Sequence, residues 1–280
     1  MPIRYEGPGL LGLGDNTVDT YVDAGKQFPG GNAVNVAVLA HRLGLMTGYL
    51  GCLGTDAGGD VIAAALADEG VDVSHVRRIK GANARARIVH NHGDRCFLSG
   101  DPGVRGRYDL AADDLDYIAG FDAVHTSIFS ELDAELPSVR RVARQLSYDF
   151  SERWSDAVFA RVLPHIDVAF LSAPGRDDAE VAAVLRGCAT AGVSLAVATR
   201  GALGAMALCA GEILSQGIAP ATIVDTLGAG DGFIAACLTS LLRGAELAAA
   251  LEAGAGYAAM VCGWQGAFGH GAPWADGVCG

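Results

Sequence analysis

Short apolar runs, each closed by turn residues, alternate with helical stretches from Asp122 onward. Residues 123–128 precede a helical pattern over 138–145, and 147–150 form a second run. Residues 168–171 precede a helical pattern over 178–186, and 195–198 form a further run. Apolar runs of this length between helices predict a parallel sheet covered on both faces, with ligands gathered at the C-terminal strand ends. The N-terminal part keeps the rhythm: 10–13 reads as a strand running into Gly14-Asp15-Asn16, 47–50 as another strand, and 61–69 as a helix stopped by Gly70. Two stretches break it. Residues 18–28 alternate unevenly, and 84–88 with 95–98 flank the turn chemistry of Gly93-Asp94. Both read as hairpins, which together predict a small sheet outside the main layer. The histidines 90 and 92 alternate onto one strand face there, without a visible third metal ligand.

Near the end of this pattern stands Asp225-Thr226-Leu227-Gly228-Ala229-Gly230-Asp231-Gly232-Phe233. A β-prone run over 221–224 precedes it, and an apolar helix over 233–242, stopped by Gly244, follows. In a strand, turn, helix sequence, Gly228 and Gly230 let the backbone approach a ligand without Cβ interference. The N–H groups of the first helical turn, aided by the helix dipole, form an anion site. Asp231 would stand at its mouth, a poor place for a carboxylate unless it reacts; a base beside bound phosphate is suited to activating a hydroxyl. Upstream, Gly30-Gly31 makes a turn into a helix that starts near Asn32 as N-cap and ends at Gly44. Asn32 and Asn35 are three apart and leave one face of its first turn. Asp15, just past a buried strand, is placed either to accept polyol hydroxyls or to serve a local turn. Asp15, Ser172, Thr199 and Asp225 all fall at predicted strand ends.

With 280 residues, 51% of them hydrophobic, the chain can bury one large core, hiding roughly 75% of its unfolded surface. The net charge of −12 argues against nucleic acid or anionic membrane as partner, since both need Lys/Arg patches. An anionic ligand is then held by local amides and a few basic side chains. Seven scattered cysteines without Cys-x-x-Cys suit reduced thiols in a cytosol, and the N-terminus lacks signal-peptide features. Residues 245–262 are the most membrane-like stretch, but Glu246 and Glu252 interrupt it; a buried helix is expected. No Gly-x-x-x-x-Gly-Lys-Ser/Thr string occurs, so P-loop mechanics are excluded.

The 225–233 stretch resembles the second signature of the ribokinase-like (PfkB) carbohydrate kinases, and Gly30-Gly31-Asn32 with Asn35 resembles the first. Gly51 to Asp60 is similar to the family's Gly-x-x-Gly-x-Asp-x-x-Gly segment, and Thr199-Arg200-Gly201 to Gly204 to its Thr-x-Gly-x-x-Gly turn. The resemblance spans nearly the whole length. It implies one ribokinase-like α/β domain over 1–280, a three-layer α/β/α sandwich with a mainly parallel sheet. Strands about 17–29 and 83–100 would form a lid over the sugar site and the surface of a homodimer. It implies transfer of the ATP γ-phosphoryl group to a sugar hydroxyl, with Asp231 as base and the amides of Gly228, Ala229, Gly230 and Asp231 stabilising charge. Asp15, Gly30, Gly31, Asn32, Asn35 and Arg95 would meet the sugar. Thr199, Arg200, Gly201, Gly204, Thr226, Gly228 and Gly230 would meet the nucleotide, and a helix over 247–261 would wall the adenine. Asp225 with the 263–267 loop would hold a monovalent cation such as K+, and Mg2+ would neutralise phosphate. The chain departs from the family at Ser172-Ala173-Pro174, where most members carry Asn-x-x-Glu to order magnesium; Asp149, Asp177 and Asp178 are the carboxylates left for that task. That substitution, the Gly14-Asp15-Asn16 opening and Asp149-Phe150-Ser151 resemble the fructoselysine (fructosamine) 6-kinase branch, whose acceptor is the 6-hydroxyl of a ketoamine. Two other readings stand beside it: a kinase for a ketohexose, ribose or nucleoside, and a catalytically silent sugar- or nucleotide-binding protein in the cytoplasm.

Overall fold

The computed structural model describes residues 7–91, 94–106 and 109–274, with the backbone alone at 90, 91 and 94–97. The first part of the chain gives β1 (Gly9–Gly14), β2 (Thr17–Tyr21), β3 (Lys26–Gly30), α1 (Asn32–Arg42), β4 (Met46–Gly54) and α2 (Ala57–Glu69). Next come β5 (Arg77–Ile79), β6 (Arg85–Asn91), β7 (Asp94–Asp101), α3 (Ala112–Ile118), β8 (Ala123–Ser127) and α4 (Leu136–Val142). They are followed by β9 (Leu146–Asp149), α5 (Asp156–Val162), β10 (Val168–Ser172), α6 (Asp178–Thr190) and β11 (Leu195–Thr199). The chain ends with β12 (Ala205–Cys209), β13 (Glu212–Gln216), α7 (Ala229–Leu242), α8 (Leu247–Val261) and β14 (Ala272–Pro273).

Nine strands form one sheet in the order β13-β12-β11-β10-β9-β8-β1-β4-β5. Pairings from β11 to β5 are parallel, and the β12–β13 hairpin continues the sheet antiparallel at one edge. Successive strand side chains point to opposite faces, and here helices cover both. In β10, Val168 and Phe170 enter the core with α1, α7 and α8, whereas Ala169 and Leu171 enter the core with α4, α5 and α6. β11 divides the same way, Leu195 and Val197 against Ala196 and Ala198. Two buried faces are why these strands read as unbroken apolar runs. The result is the three-layer α/β/α sandwich.

A second sheet has the order β14-β3-β2-β6-β7. It joins the two hairpins expected from the sequence through a parallel β2–β6 pairing; β14, which carries no sequence signal, adds to β3. Tyr21, Phe28 and Ile88 form its small core, and Leu227 packs against them. The glycine-rich turn and this sheet are therefore in contact.

Several boundaries moved. Residues 221–224 are not a strand: Ile223 is 67% and Val224 53% exposed, and the amides of Val224 and Asp225 both reach the carbonyl of Cys262. A β-prone run gains nothing without a neighbouring strand to pack on. α2 begins at Ala57 because Asp56 caps it, accepting from the Gly59 amide at 3.0 Å. Gly59 is needed there, since a Cβ would stand 2.0 Å from the Gly54 carbonyl oxygen. α4 ends at Val142, short of 145, and α6 continues to Thr190. α8 spans the predicted residues, and no helix among the described residues is long and apolar enough to cross a membrane. Cys52, Cys188 and Cys237 are buried free thiols; burial pushes Cys52 and Cys237 up to about 12.

Candidate active site

β1 and β8 are neighbours in the sheet, yet the chain after β1 leads to α1 on one face and the chain after β8 leads to α4 on the other. Such a divergence opens a crevice at the C-terminal strand ends. The first turns of α1 and α7 and the ends of β1, β8 and β9 converge on it.

α1 has Gly31 as its N-cap, at φ 103, where a Cβ would stand 2.4 Å from the Asn16 Cα. Gly31 has no side chain to cap with. Asp15 caps instead: Oδ2 accepts from the Asn32 amide at 2.6 Å and Oδ1 from the Ala33 amide at 3.3 Å. The hydroxyls of Ser127 and Ser130 also donate to Oδ1, at 2.8 and 3.0 Å. A side-chain cap is worth about 1 kcal/mol, and this one is buried. Asp15 lines the crevice, but its carboxylate already holds four donors and anchors α1. Asn32, expected to be the cap, is the first helical residue, and its side chain is left for the crevice.

There the two amides do one job. Asn32 Nδ2 donates to Asp231 Oδ1 at 2.7 Å, and Asn35 Nδ2 donates to Asp231 Oδ2 at 2.6 Å. The nitrogen of Asn32 also donates to Asp149 Oδ2 at 3.0 Å. The sequence-derived pairing of Asn32 and Asn35 on one helical face thus meets Asp231 in the first turn of α7. α7 is capped by Gly228 at φ 78, where a Cβ would stand 2.4 Å from that of Ala267. Nothing lies within 4 Å of a Cβ placed at Gly230. The Ala229 amide is engaged by the Thr226 carbonyl at 3.3 Å.

Two cavities meet at this turn. The first, about 730 Å³, is lined by Asp15, Gly31, Asn32, Asn35, Asp149 and Asp231, and by Thr17, Asp19 and Arg85 of the second sheet. The second, about 370 Å³, lies between Thr199, Gly201 and Gly204 on one side and Ala229, Phe233, Ala255, Ala258 and Cys262 on the other. Thr226 and Gly230 line both. A polar chamber and an apolar slot joined at a helix N-terminus suit a hydroxylated ligand, a flat ring and an anion between them.

Asp149 is buried, and its burial, with the negative charges of Asp231 and Asp15, pushes its carboxyl up to about 7 against the opposing hydrogen bond from the Ser151 amide. Of the three carboxylates proposed for magnesium, it alone lines the chamber. Asp177 caps α6 in a reciprocal box with Glu180, and Asp178 pairs with Arg200 at 2.6 Å. Arg200 consequently points to the start of α6 and not into the slot. Gly30 ends β3 without lining either cavity; a Cβ there would stand 2.2 Å from Asp19 Oδ2. Asp225 is in a separate void of about 10 Å³ with Tyr21, Lys26 and Gln265. Its oxygens accept from the Tyr21 hydroxyl at 2.5 Å, the Leu227 amide at 2.9 Å and the Gly266 amide at 3.1 Å. Arg95 is on β7, but its side chain lies outside the described residues, as do those of His90 and His92.

The sequence reading missed His125, whose ring touches Asn32 from β8, because one histidine inside an apolar run carries no spacing signal. It also missed the charged rim of the chamber: Arg105 paired with Glu131 at 3.0 Å, and Arg153 stacked 4.8 Å over Phe129, with no ion pair among the described residues. These residues sit on loops without a motif.

The family profile described as "pfkB family carbohydrate kinase" matches residues 11–273. Fructosamine kinase FrlD of Bacillus subtilis (strain 168) is 37% identical over 269 residues, spanning 95% of this chain and 94% of that protein. Fructoselysine 6-kinase of Escherichia coli (strain K12) is 33% identical over 259 residues, spanning 92% of this chain and 99% of that protein. Among solved structures, Arabidopsis thaliana ribokinase complexed with ribose and ATP superposes with a TM-score of 0.83 at 23% identity, covering 94% of each chain.

Proposed function

The chain belongs to the pfkB family of carbohydrate kinases, and from that premise we propose how its two cavities divide the phosphorylation of a sugar by ATP. The adenine occupies the apolar slot between Gly201, Phe233, Ala255 and Ala258. The phosphates pass Thr226 and reach the turn at Gly228 to Gly230, where both cavities open. The acceptor lies in the polar chamber. Asp231 takes the proton of its hydroxyl as that oxygen bonds to the γ-phosphorus and the bond to ADP breaks. The amides of Gly228, Gly230 and Asp231 face the charge that grows on the transferred group, and positioning supplies much of the rate in such transfers. The observation that carries this reading is the grip of Asn32 and Asn35 on Asp231 where the two cavities join.

Asp149 and Asp231 offer carboxylate oxygens to water-mediated Mg2+, which supplies positive charge against the phosphates. Asp225 and Tyr21 line a void the size of about one water that would suit a monovalent cation such as K+. Lys26 lines it too and donates to Gln265 Oε1 at 3.2 Å, so K+ would take the place of that ammonium in supplying charge behind the glycine-rich turn. The second sheet, which lines the chamber through Thr17, Asp19 and Arg85, acts as a lid and as a pairing surface for a second copy. Buried reduced thiols suit a cytoplasmic setting.

For the acceptor we take a fructoselysine-like ketoamine, phosphorylated at its 6-hydroxyl. The relatives named for that chemistry support it, as does the charged rim of the chamber, Arg105, Glu131 and Arg153, which offers partners for a charged tail. A coupled ADP-release assay with fructoselysine, fructose, ribose and a nucleoside tests it. The highest kcat/KM is expected with fructoselysine. A higher value with another acceptor would replace the substrate, and turnover with none would favour a silent binding protein.

A further inference from the structure

His125 is fully buried in β8. Its Nε2 lies 2.9 Å from Asn32 Oδ1 and its Nδ1 lies 3.0 Å from Ser147 Oγ. The far side of Asn32 settles which atoms donate. Its amide nitrogen faces oxygens of Asp149 and Asp231, and the Asp231 carboxylate, ionised as the base must be, only accepts. The amide oxygen therefore faces the ring, Nε2 carries the proton and donates, and Nδ1 accepts from the Ser147 hydroxyl. Burial drives His125 down to about 3, so the ring stays neutral and the pattern of one donor and one acceptor is permanent.

We infer that His125 is a positioning residue for phosphoryl transfer: by holding the oxygen of Asn32, it turns the amide nitrogen of Asn32 onto Asp231. The inference rests on Asp231 being the base. The carboxylates attract the amide nitrogen of Asn32, but a donor on the oxygen side is what fixes the angle at which that nitrogen reaches Asp231. Without the ring's N–H, the Asn32 oxygen is left without this donor, and the side chain can rotate its nitrogen off Asp231 Oδ1. Asn35 would still grip Asp231 Oδ2, but Oδ1 would lose its donor, and the carboxylate could swing away from the acceptor hydroxyl.

The test is a pair of polar variants. In His125→Gln the side-chain amide nitrogen reaches about as far as Nε2 and can donate to Asn32. In His125→Asn it reaches only as far as Nδ1, toward Ser147. Steady-state kinetics should show kcat lowered on the order of 10- to 100-fold in His125→Asn, the scale of a misplaced catalytic group. KM for ATP should stay unchanged and the melting temperature close to that of the parent. His125→Gln should recover most of that loss. A purely structural role would move both variants together. Nitrogen-15 NMR of the unaltered enzyme is independent of folding in either variant and should report the neutral Nε2–H tautomer. Parent-like kcat in folded His125→Asn, equal losses in both variants, or an Nδ1–H tautomer would each overturn the inference. Full turnover by Asp231→Asn would instead overturn the base assignment, and the ring tautomer would stand, so the two failures are distinguishable.

Discussion

Asp149 and Asp231 accept from the same atom: Asn32 Nδ2 lies 3.0 Å from an oxygen of the first and 2.7 Å from an oxygen of the second. One donor shared by two carboxylates, in a crevice that also holds Asp15, leaves more negative charge than the local hydrogen bonds offset. Asp149 bears the consequence, its carboxyl pushed up to about 7 by burial first and by its two acidic neighbours next.

The sign of the resulting pH dependence follows from linkage. An unfolded aspartate titrates near about 3.9, so between that value and about 7 the folded chain holds a proton that the unfolded chain has released. Stability from this group is complete at low pH and is lost as pH rises through about 7. The melting temperature of the nucleotide-free, magnesium-free protein should thus fall between pH 5 and 8 through this group. In Asp149→Asn the fall should be shallower, whatever constant offset the substitution adds. Parallel curves for the two proteins would show that Asp149 ionises as an ordinary carboxylate.

Asp231→Asn is nearly isosteric and keeps an oxygen for one of the two asparagine donors, but it cannot take a proton. Turnover should drop at least ~10²-fold, the low end for loss of a general base, while calorimetric affinity for ADP stays within about twofold. Unchanged kcat would remove Asp231 from its role.

The two glycines of the turn look equivalent in the sequence, and the structure separates them. Gly228 has φ 78, and a Cβ there would collide with Ala267 at 2.4 Å. Gly228→Ala should cost at least ~1–2 kcal/mol from the left-handed backbone alone, read as a lower denaturation midpoint. Gly230 is helical, and its missing Cβ points into open space where the cavities join. Gly230→Ala should leave stability equal or higher, by ~0.5–1 kcal/mol, and raise KM for ATP by narrowing the phosphate path. Equal loss of stability in both variants would refute the distinction.

How much was legible in advance depended on whether the deciding partner was near in sequence. The strands of the main sheet were legible because both faces are buried, so their apolar runs are continuous, as in β10 and β11. Asn32 and Asn35 were legible as a pair because helical geometry fixes the spacing. The family likeness assigned both amides to the sugar; that they share Asp231 as a partner came only from the geometry. That Asp15 caps α1 was not legible in advance because that helix starts only at Asn32, beyond the β2–β3 hairpin. Residues 221–224 have strand propensity but no strand beside them, which a local reading does not detect. His125 and Arg153 were silent for the same reason: each matters through a ring or amide that the fold delivers from elsewhere.

Arg153 gives the sharpest test of acceptor identity. It lines the chamber, stacks over Phe129 and has no ion pair among the described residues, whereas Arg105 at the same rim is neutralised by Glu131. A guanidinium held over an aromatic ring, with no ion pair among the described residues, is a ready partner for a carboxylate, such as the amino-acid end of a ketoamine. A hydrogen bond to a charged group is worth ~1.5–3 kcal/mol; because Arg153 is exposed, the lower end applies, about tenfold in affinity. Arg153→Ala should therefore raise KM for fructoselysine about tenfold and leave KM for ATP unchanged. KM for a fructosamine bearing a plain alkyl chain should also hold, since that compound offers the sugar without the carboxylate. Equal losses on both ketoamines would mean that Arg153 shapes the chamber and does not read the acceptor's tail.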